Sequence, residues 1–378
     1  MSRAPERIRT PRLLLRRPVA ADAQPMFDAY ASDPEVTRFL TWPTHETVER
    51  AREFLRRCDA VWADGSAFPW AITLDDRLIG MIELRPADHR AEIGYAISRA
   101  TWGQGYTTEA ARAVVEWALA EPPICRVWAY VDVTNAPSAR VLEKTGMTRE
   151  GLVRAWYVPP AFGVPRDCWM YARVKPASEP LVAPPATFAA AVAAPVTAPR
   201  AGPSILETQR LVLRRPTVAD AEAIFAAYAR DPEVSRYTTW APHRDLEDTR
   251  GFLRACEDGW ARGTVLSWAI TRREDGRLIG TTDIRLERHR GEIGYVLARS
   301  AWRQGYATEA ARAVVAWGLA QPEMHRVWAV CDVENPASGR VLEKAGMTRE
   351  ACLRAWAVMP AFPGPRDVWC YAAIKERT

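Results

Sequence analysis

Nothing constrains this chain more than its internal repeat. TPRLLLRRP at Thr10–Pro18 returns as TQRLVLRRP at Thr208–Pro216, and WGQGYTTEAARAVV at Trp102–Val115 returns as WRQGYATEAARAVV at Trp302–Val315. Fifteen of the twenty positions of Thr101–Ala120 are repeated in Ala301–Ala320, and all sixteen tryptophans pair off between the halves. A unit this long buries its own core, so the repeat reads as a duplicated domain and not as a solenoid module. The second copy has two extra residues where AITLDDRLIG (Ala71–Gly80) becomes AITRREDGRLIG (Ala269–Gly280). That is a hairpin turn, where insertions cost little. The expected domains are 1–175 and 204–378. Between them, 176–203 holds seven prolines and only two charges, Glu179 and Arg200. It reads as a semi-extended linker.

Bulk properties exclude more than they assign. A net charge of +5 over 378 residues is too dilute to argue for nucleic acid, and no basic run interleaves with aromatics. No apolar stretch reaches the roughly 20 residues a membrane span needs. Met1–Thr10 is polar and basic, unlike a signal peptide. The seven cysteines form no C-x-x-C pair and no zinc-like spacing with histidine, so no metal is expected and a reducing, cytoplasmic setting is.

Period and turn signals give each copy the order β-α-α-β-β-β-α-β-α-β-β. In the first copy this means a strand at Leu13–Arg17 and helices at Ala21–Ala31 and Thr47–Trp62. A hairpin follows across Asp75-Asp76, then a strand at Ala91–Ser98 and a helix at Gly105–Ala120. Val127–Asp132 is a strand and Pro137–Thr145 a helix; Met147–Tyr157 and Asp167–Lys175 are the closing strands. The expected class is α+β, with a mostly antiparallel central sheet flanked by helices.

Two segments carry chemistry. Gly103 and Gly105 open a helix, which exposes several backbone N–H groups at the positive end of a helix dipole. That suits a pyrophosphate. The absence of G-K-[ST] excludes a triphosphatase loop, and no G-x-G-x-x-G follows a first parallel strand. Downstream, Asn135-Ala136-Pro137-Ser138 opens a second helix, repeated as Asn335 to Ser338. Asn135 and Ser138 serve there equally well as plain helix caps.

With RLLLRRP, AEIGYAI, WGQGYTTEA and N-x-x-S…EK-x-G-M in place, each copy resembles GNAT-superfamily N-acetyltransferases of the RimJ/RimL-like branch, almost end to end. The resemblance implies two tandem GNAT-like domains that use acetyl-CoA. It places coenzyme A on Gly103, Gln104, Gly105, Tyr106, Thr107 and Thr108, with Ile97, Asn135 and Lys144. In the second copy the positions are Arg303, Gln304, Gly305, Tyr306, Ala307 and Thr308, with Leu297, Asn335 and Lys344. The first copy departs from the family pattern at Thr107, where a small residue is usual. That departure motivates an alternative in which one copy is a non-catalytic coenzyme-A-binding or structural module. A third reading is a peptide-binding protein without coenzyme A.

Catalytic roles follow from the same resemblance. Glu92 and Glu292 are candidate general bases on the strand; an ordinary strand ion pair competes with that reading. The superfamily's general-acid tyrosine falls at Leu142 and Leu342, and Ser138 and Ser338 take its place in this branch. The later glutamate of the serine-acetyltransferase relatives aligns with Trp156 and Trp356. Trp42, His45 and Trp156, with Trp240, His243 and Trp356, are candidate acceptor contacts; core packing explains tryptophans equally well. The acceptor is a small amine or a peptide or protein N-terminus, with no nucleic acid or membrane partner. Dimeric relatives suggest an intramolecular pseudo-dimer.

Overall fold

The computed structural model describes residues 4–176 and 201–376. The chain forms two compact units whose boundary falls in the segment between them. Most of the linker expectation, residues 177–200, lies outside the described residues.

The first unit begins with β1 (Arg7–Arg9) and β2 (Leu14–Arg16), followed by α1 (Ala23–Met26), α2 (Pro34–Thr37) and α3 (Val48–Asp64). Next come β3 (Phe68–Leu74), β4 (Arg77–Ala87), β5 (Arg90–Ile97), α4 (Tyr106–Ala120), β6 (Arg126–Asp132) and α5 (Ala136–Lys144), then β7 (Thr148–Tyr157) and β8 (Arg166–Val174). The sheet order is β1-β2-β3-β4-β5-β6-β8-β7. Every neighbouring pair is antiparallel except β5 with β6.

The expected elements are present, with ends shifted by a residue or two. The hairpin turn is where Asp75 and Asp76 placed it: both have positive φ, 48° and 62°, the left-handed pair that a tight two-residue hairpin requires. Three features differ, and one is the four-residue α2, which was not expected because a single helical turn carries no periodicity. The short β1 was not expected, because three residues carry no periodicity. The expected helix Ala21–Ala31 is composite. A 3₁₀ turn (Ala20–Asp22) enters α1, and a π turn (Phe27–Ala31) leaves it. Ser32 closes that wide turn, bonding Phe27 O through both its N–H (3.3 Å) and its Oγ (2.8 Å). Asp33 then caps α2 by accepting from Glu35 N.

Alternation along the strands divides the core into two layers. Ile93, Ile97, Val127 and Ala129 pack with Val114 of α4 and Leu142 of α5. Ala71, Leu78 and Met81 face the other way, onto α1 and Leu55 of α3. Trp62, Trp70 and Trp117 stack edge to face at 5.5 and 5.6 Å, and Trp70 Nε1 donates to Pro5 O at 2.8 Å. These tryptophans are therefore core residues.

The second unit repeats the order. It runs β9 (Ile205–Glu207), β10 (Leu211–Arg214), α6 (Ala221–Ile224), α7 (Pro232–Ser235), α8 (Leu246–Arg262), β11 (Val265–Arg272), β12 (Leu278–Leu286) and β13 (Arg290–Leu297). It continues with α9 (Tyr306–Ala320), β14 (Arg326–Asp332), α10 (Pro336–Lys344), β15 (Thr348–Val358) and β16 (Pro365–Ile374). The two-residue insertion lies in the β11–β12 turn. Trp268 Nε1 donates to Pro203 O at 3.0 Å, and a Cβ on Gly202 would meet Leu266 Cδ1 at 2.5 Å. This copy is thus already packed at Gly202, inside the stretch read as linker.

Candidate active site

The site is built on a fork in the sheet. Parallel pairing of β5 with β6 ends at Glu92 opposite Trp128, although both strands continue beyond it. In an antiparallel ladder, residues alternately point their N–H and C=O at the partner and away from it. Ser98 N–H donates to Ile79 O at 2.7 Å, and the β4–β5 register is unbroken. That phase turns the backbone groups of Tyr95 and Ile97 away from β4, into the fork. Trp102 Nε1 caps one of them, the Ile97 carbonyl, at 3.1 Å. The second unit has the same fork: pairing ends at Glu292 opposite Trp328, Ala298 N bonds Ile279 O at 2.8 Å, and Trp302 Nε1 caps Leu297 O at 2.8 Å.

Beyond β5 the chain makes a 3₁₀ turn, Arg99–Thr101, and enters α4 through Gly105, which has φ 82°. The first-turn N–H groups of Tyr106, Thr107 and Thr108 have no partner within the helix. A cradle of such donors at a helix N-terminus fits a pyrophosphate, and unpaired strand-edge amides fit the amides of a pantetheine arm. The residues present therefore fit coenzyme A. Arg12, 97 positions from Glu109, fixes the loop. Arg12 N and Nε donate to Glu109 at 2.9 and 2.7 Å, Thr10 Oγ1 donates to it at 2.6 Å, and Arg12 Nη1 reaches Gln104 O at 3.0 Å. The guanidinium also lies 4.4 Å over the Tyr106 ring. Arg210, Thr208, Glu309, Gln304 and Tyr306 reproduce this network. Sequence reasoning missed it, although RLLLRRP was part of the repeat.

Position 103 is left-handed in both copies, with φ 76° at Gly103 and 61° at Arg303. Lys144 and Lys344 end the α5 and α10 helices; their carbonyls accept from Arg112 and Arg312, at 2.8 and 2.7 Å. Asn135 and Asn335 are N-caps whose side chains accept from Ser138 N and Ser338 N.

Ser138 is more than a cap. Its Oγ lies 2.9 Å from Tyr95 Oη, which also reaches Ser138 O at 3.2 Å. Ser338 and Tyr295 repeat the contact at 2.7 and 3.1 Å. Burial pushes both phenols well above their ordinary range, so they stay protonated. Tyr95 therefore bridges the fork on the α4–α5 side of the sheet.

The opposite face carries the other candidates. Glu92 shares it with Gly94 and Ala96, and Trp42 packs into the same layer as Ala96. Glu92 Oε1 accepts from Arg85 Nη1 at 3.2 Å, while Arg85 Nε donates to Glu83 at 2.5 Å. An engaged carboxylate must give up its ion pair to take a proton. In the second unit Arg285 lies 3.5 Å from Asp283 and also interacts with Glu292. His45 packs 4.9 Å from Trp42, and His243 packs 5.4 Å from Trp240. Burial lowers the pKa of both histidines. His243 Nδ1 bonds Thr249 Oγ1 at 2.8 Å. Tyr157 Oη donates to Phe39 O at 3.3 Å, bringing the loop of Trp42 to the end of β7. Just before Trp156, Ala155 sits at φ 49° in a bulge held by Asp167; Ala355 before Trp356 sits at 46°. The bulges re-aim both tryptophans, and Trp156 packs 6.2 Å from Tyr130.

Among the described residues there is no group of three or more His, Cys, Asp or Glu that could hold a metal ion, and no helix long and apolar enough to cross a membrane.

Residues 12–148 and 210–348 each match the family described as acetyltransferase (GNAT) domain. The uncharacterized N-acetyltransferase YoaA of Bacillus subtilis is 35% identical over 176 residues, 46% of this chain and 98% of that protein. A GNAT-family acetyltransferase structure from Bacillus anthracis is 28% identical, covering 46% of this chain and 99% of its own, with a TM-score of 0.41. RimL, a ribosomal L7/L12 alpha-N-protein acetyltransferase solved with coenzyme A, is 21% identical over 45% of this chain and 98% of its own, with a TM-score of 0.42.

Proposed function

Because the chain belongs to the GNAT acetyltransferase family in both of its halves, and its co-substrate is accordingly acetyl-CoA, we propose that each half acetylates a primary amine by direct attack. The acceptor is a peptide or protein N-terminus or a small amine. The observation that carries this reading is the fork. It opens a strand edge beside a helix-capped loop, with a serine on one face and the acceptor candidates on the other.

Bound acetyl-CoA supplies the thioester, whose carbon–sulfur bond breaks, the electron pair going to sulfur, as the amine nitrogen bonds to the acyl carbon. The residues' placement supports the following tasks. The Tyr95 main-chain N–H is a fixed donor for the acyl oxygen. The Ser138 hydroxyl, in the first turn of α5, holds a proton for the leaving sulfur, and the helix dipole favours negative charge there. The proton that the amine sheds goes to water, and water returns one to the Ser138 oxygen once the sulfur has taken the serine proton. An α-amine with a pKa of about 8 is already partly neutral near pH 7, so Glu92 has little to do as a base. Trp42, His45 and Trp156 line the acceptor side, as do Trp240, His243 and Trp356. Both copies hold the same set, which supports two active sites in preference to one site with a supporting copy.

A turnover screen of the full chain over small amines and N-terminal peptides tests the proposal. Acetyl transfer that rises with pH toward the amine pKa is expected. Failure of acetyl-CoA to bind in calorimetry, or transfer to no primary amine, overturns it.

A further inference from the structure

The side chains of Tyr95 and Tyr295 have no role assigned so far, yet each bridges its fork to the serine. Proton bookkeeping shows what the contact does. Each tyrosine owns one hydroxyl proton and each serine one. If the phenol donated to the serine carbonyl, the serine proton would turn back toward the phenol, away from the fork. If the phenol donates to the serine Oγ, the serine proton is released to face outward. Two observations favour the second arrangement. The Oη–Oγ distance is the shorter one in both copies, 2.9 against 3.2 Å and 2.7 against 3.1 Å. The Ser138 carbonyl also lies inside α5, where the helix N–H four residues on competes with the phenol for it. A hydroxyl that accepts one hydrogen bond becomes a stronger donor of the next.

We propose that Tyr95 and Tyr295 are positioning residues that turn the Ser138 and Ser338 hydroxyl protons into the fork, toward the coenzyme A sulfur. The proposal rests on the reading of those serines as the sulfur's proton donors. The tyrosine carries no proton to the substrate itself; it fixes which way the serine donates. The same residue offers its main-chain N–H to the fork, so one residue of β5 orders both ends of the reacting group.

The test compares three full-length variants with the native chain: Tyr95→Phe with Tyr295→Phe, Ser138→Ala with Ser338→Ala, and all four together. Two readouts need no acceptor: coenzyme A affinity by calorimetry, and ionisation of the bound coenzyme A thiol, followed by thiolate absorbance across pH. Steady-state kinetics with acetyl-CoA and an amine adds kcat and KM. The tyrosine pair is expected to leave coenzyme A affinity and the KM for acetyl-CoA near native, to lower kcat about tenfold or more, and to shift the thiol titration upward. The four-fold variant should lose nothing beyond the serine pair, as expected of groups acting as one unit. A native kcat and thiol titration in the tyrosine pair, while the serine pair changes both, overturns the proposal alone. Losses that add in the four-fold variant overturn it too. A serine pair that changes neither quantity overturns the serine reading beneath it. If the double tyrosine variant does not fold, Tyr95→Phe and Tyr295→Phe singly carry the same test at half the amplitude.

Discussion

The two copies differ less in their chemistry than in what surrounds it. Both keep the Tyr–Ser bridge, the Asn cap, the indole over the strand edge and the Arg–Glu clamp on the phosphate loop. Both tie the loop to the cap of the second helix, through Arg99–Asp33 and Arg299–Asp231. The face proposed for the acceptor has diverged. Tyr130 and Tyr157 of the first copy, 5.4 Å apart, become Val330 and Ala357 in the second. Glu83 becomes Asp283, and Phe39 becomes Tyr237. A copy degenerating into a scaffold would lose the clamp or the serine first. Divergence heavier on the proposed acceptor face than at the clamp and the serine is what two active copies with different acceptors would show.

The largest test of that equality removes the clamp. Glu109→Ala strands Thr10, the Arg12 amide and the Arg12 guanidinium, and frees the loop to shift. A displacement near 1 Å is enough to cost up to roughly 100-fold. Calorimetry should therefore count two coenzyme A sites in the native chain and one in Glu109→Ala, and likewise in Glu309→Ala. If only one of the two substitutions removes a site, the copies are unequal. The clamp also sets an acid limit. Burial works to raise the Glu109 pKa, but hydrogen bonds from Thr10 and Arg12 prevail and hold it below the ordinary range; Glu309 behaves alike with Thr208 and Arg210. A depressed carboxylate stabilises above its unfolded pKa of about 4.3 and loses that contribution as pH falls through the folded value. Coenzyme A affinity should thus fall in both sites together only as pH drops beneath the ordinary carboxylate range.

Next in size is an acceptor swap. Tyr130→Val with Tyr157→Ala should move the acceptor preference of the first copy toward that of the second. It is read in a Glu309→Ala background that silences the other site. Reshaping an apolar pocket by a few side-chain groups changes discrimination by about 10- to 200-fold. The ratio of kcat/KM for a bulky over a small amine should rise by about tenfold, with the KM for acetyl-CoA unmoved. An unchanged ratio would place the acceptor elsewhere and remove the basis for calling the copies divergent in substrate.

The sequence carried the duplication, the strand and helix order, the Asp75-Asp76 turn and the loop glycines, because each is a local signal: a period, a turn dipeptide, a residue type that alone tolerates φ near 80°. It was silent where the fold brings distant residues together. Arg12 and Glu109 are 97 positions apart, and Tyr95 and Ser138 are 43 apart. Neither pair has any spacing rule to reveal it. Tyr95 in particular reads as one more apolar residue of a buried strand. Only the β4–β5 phase and the early end of β5–β6 pairing show that it faces an open fork. The AEIGYAI and N-x-x-S motifs each repeat unchanged at this tyrosine and this serine, which was the one signal available. Glu92, by contrast, drew notice as a strand carboxylate, and its place beside Arg85 matches the ion-pair alternative.

The smallest effect separates backbone strain from function at position 103. Gly103 and Arg303 share the left-handed conformation, and a Cβ on Gly103 would meet nothing within 4 Å. Gly103→Arg therefore adds no clash, only the roughly 1–2 kcal/mol of a left-handed non-glycine residue. The unfolded chain loses freedom at the same time, which returns about 0.4–1 kcal/mol. The net cost is about 1 kcal/mol, or some 2–4 °C of melting temperature for a domain this size. Arg303→Gly should raise the melt of the second copy by as much. Coenzyme A affinity should stay near native in both variants, since the second copy already carries an arginine there. A loss of coenzyme A binding in Gly103→Arg alone would mean that the first copy's loop approaches the phosphates more closely than the second's, so that the copies differ on the cofactor side as well as the acceptor side.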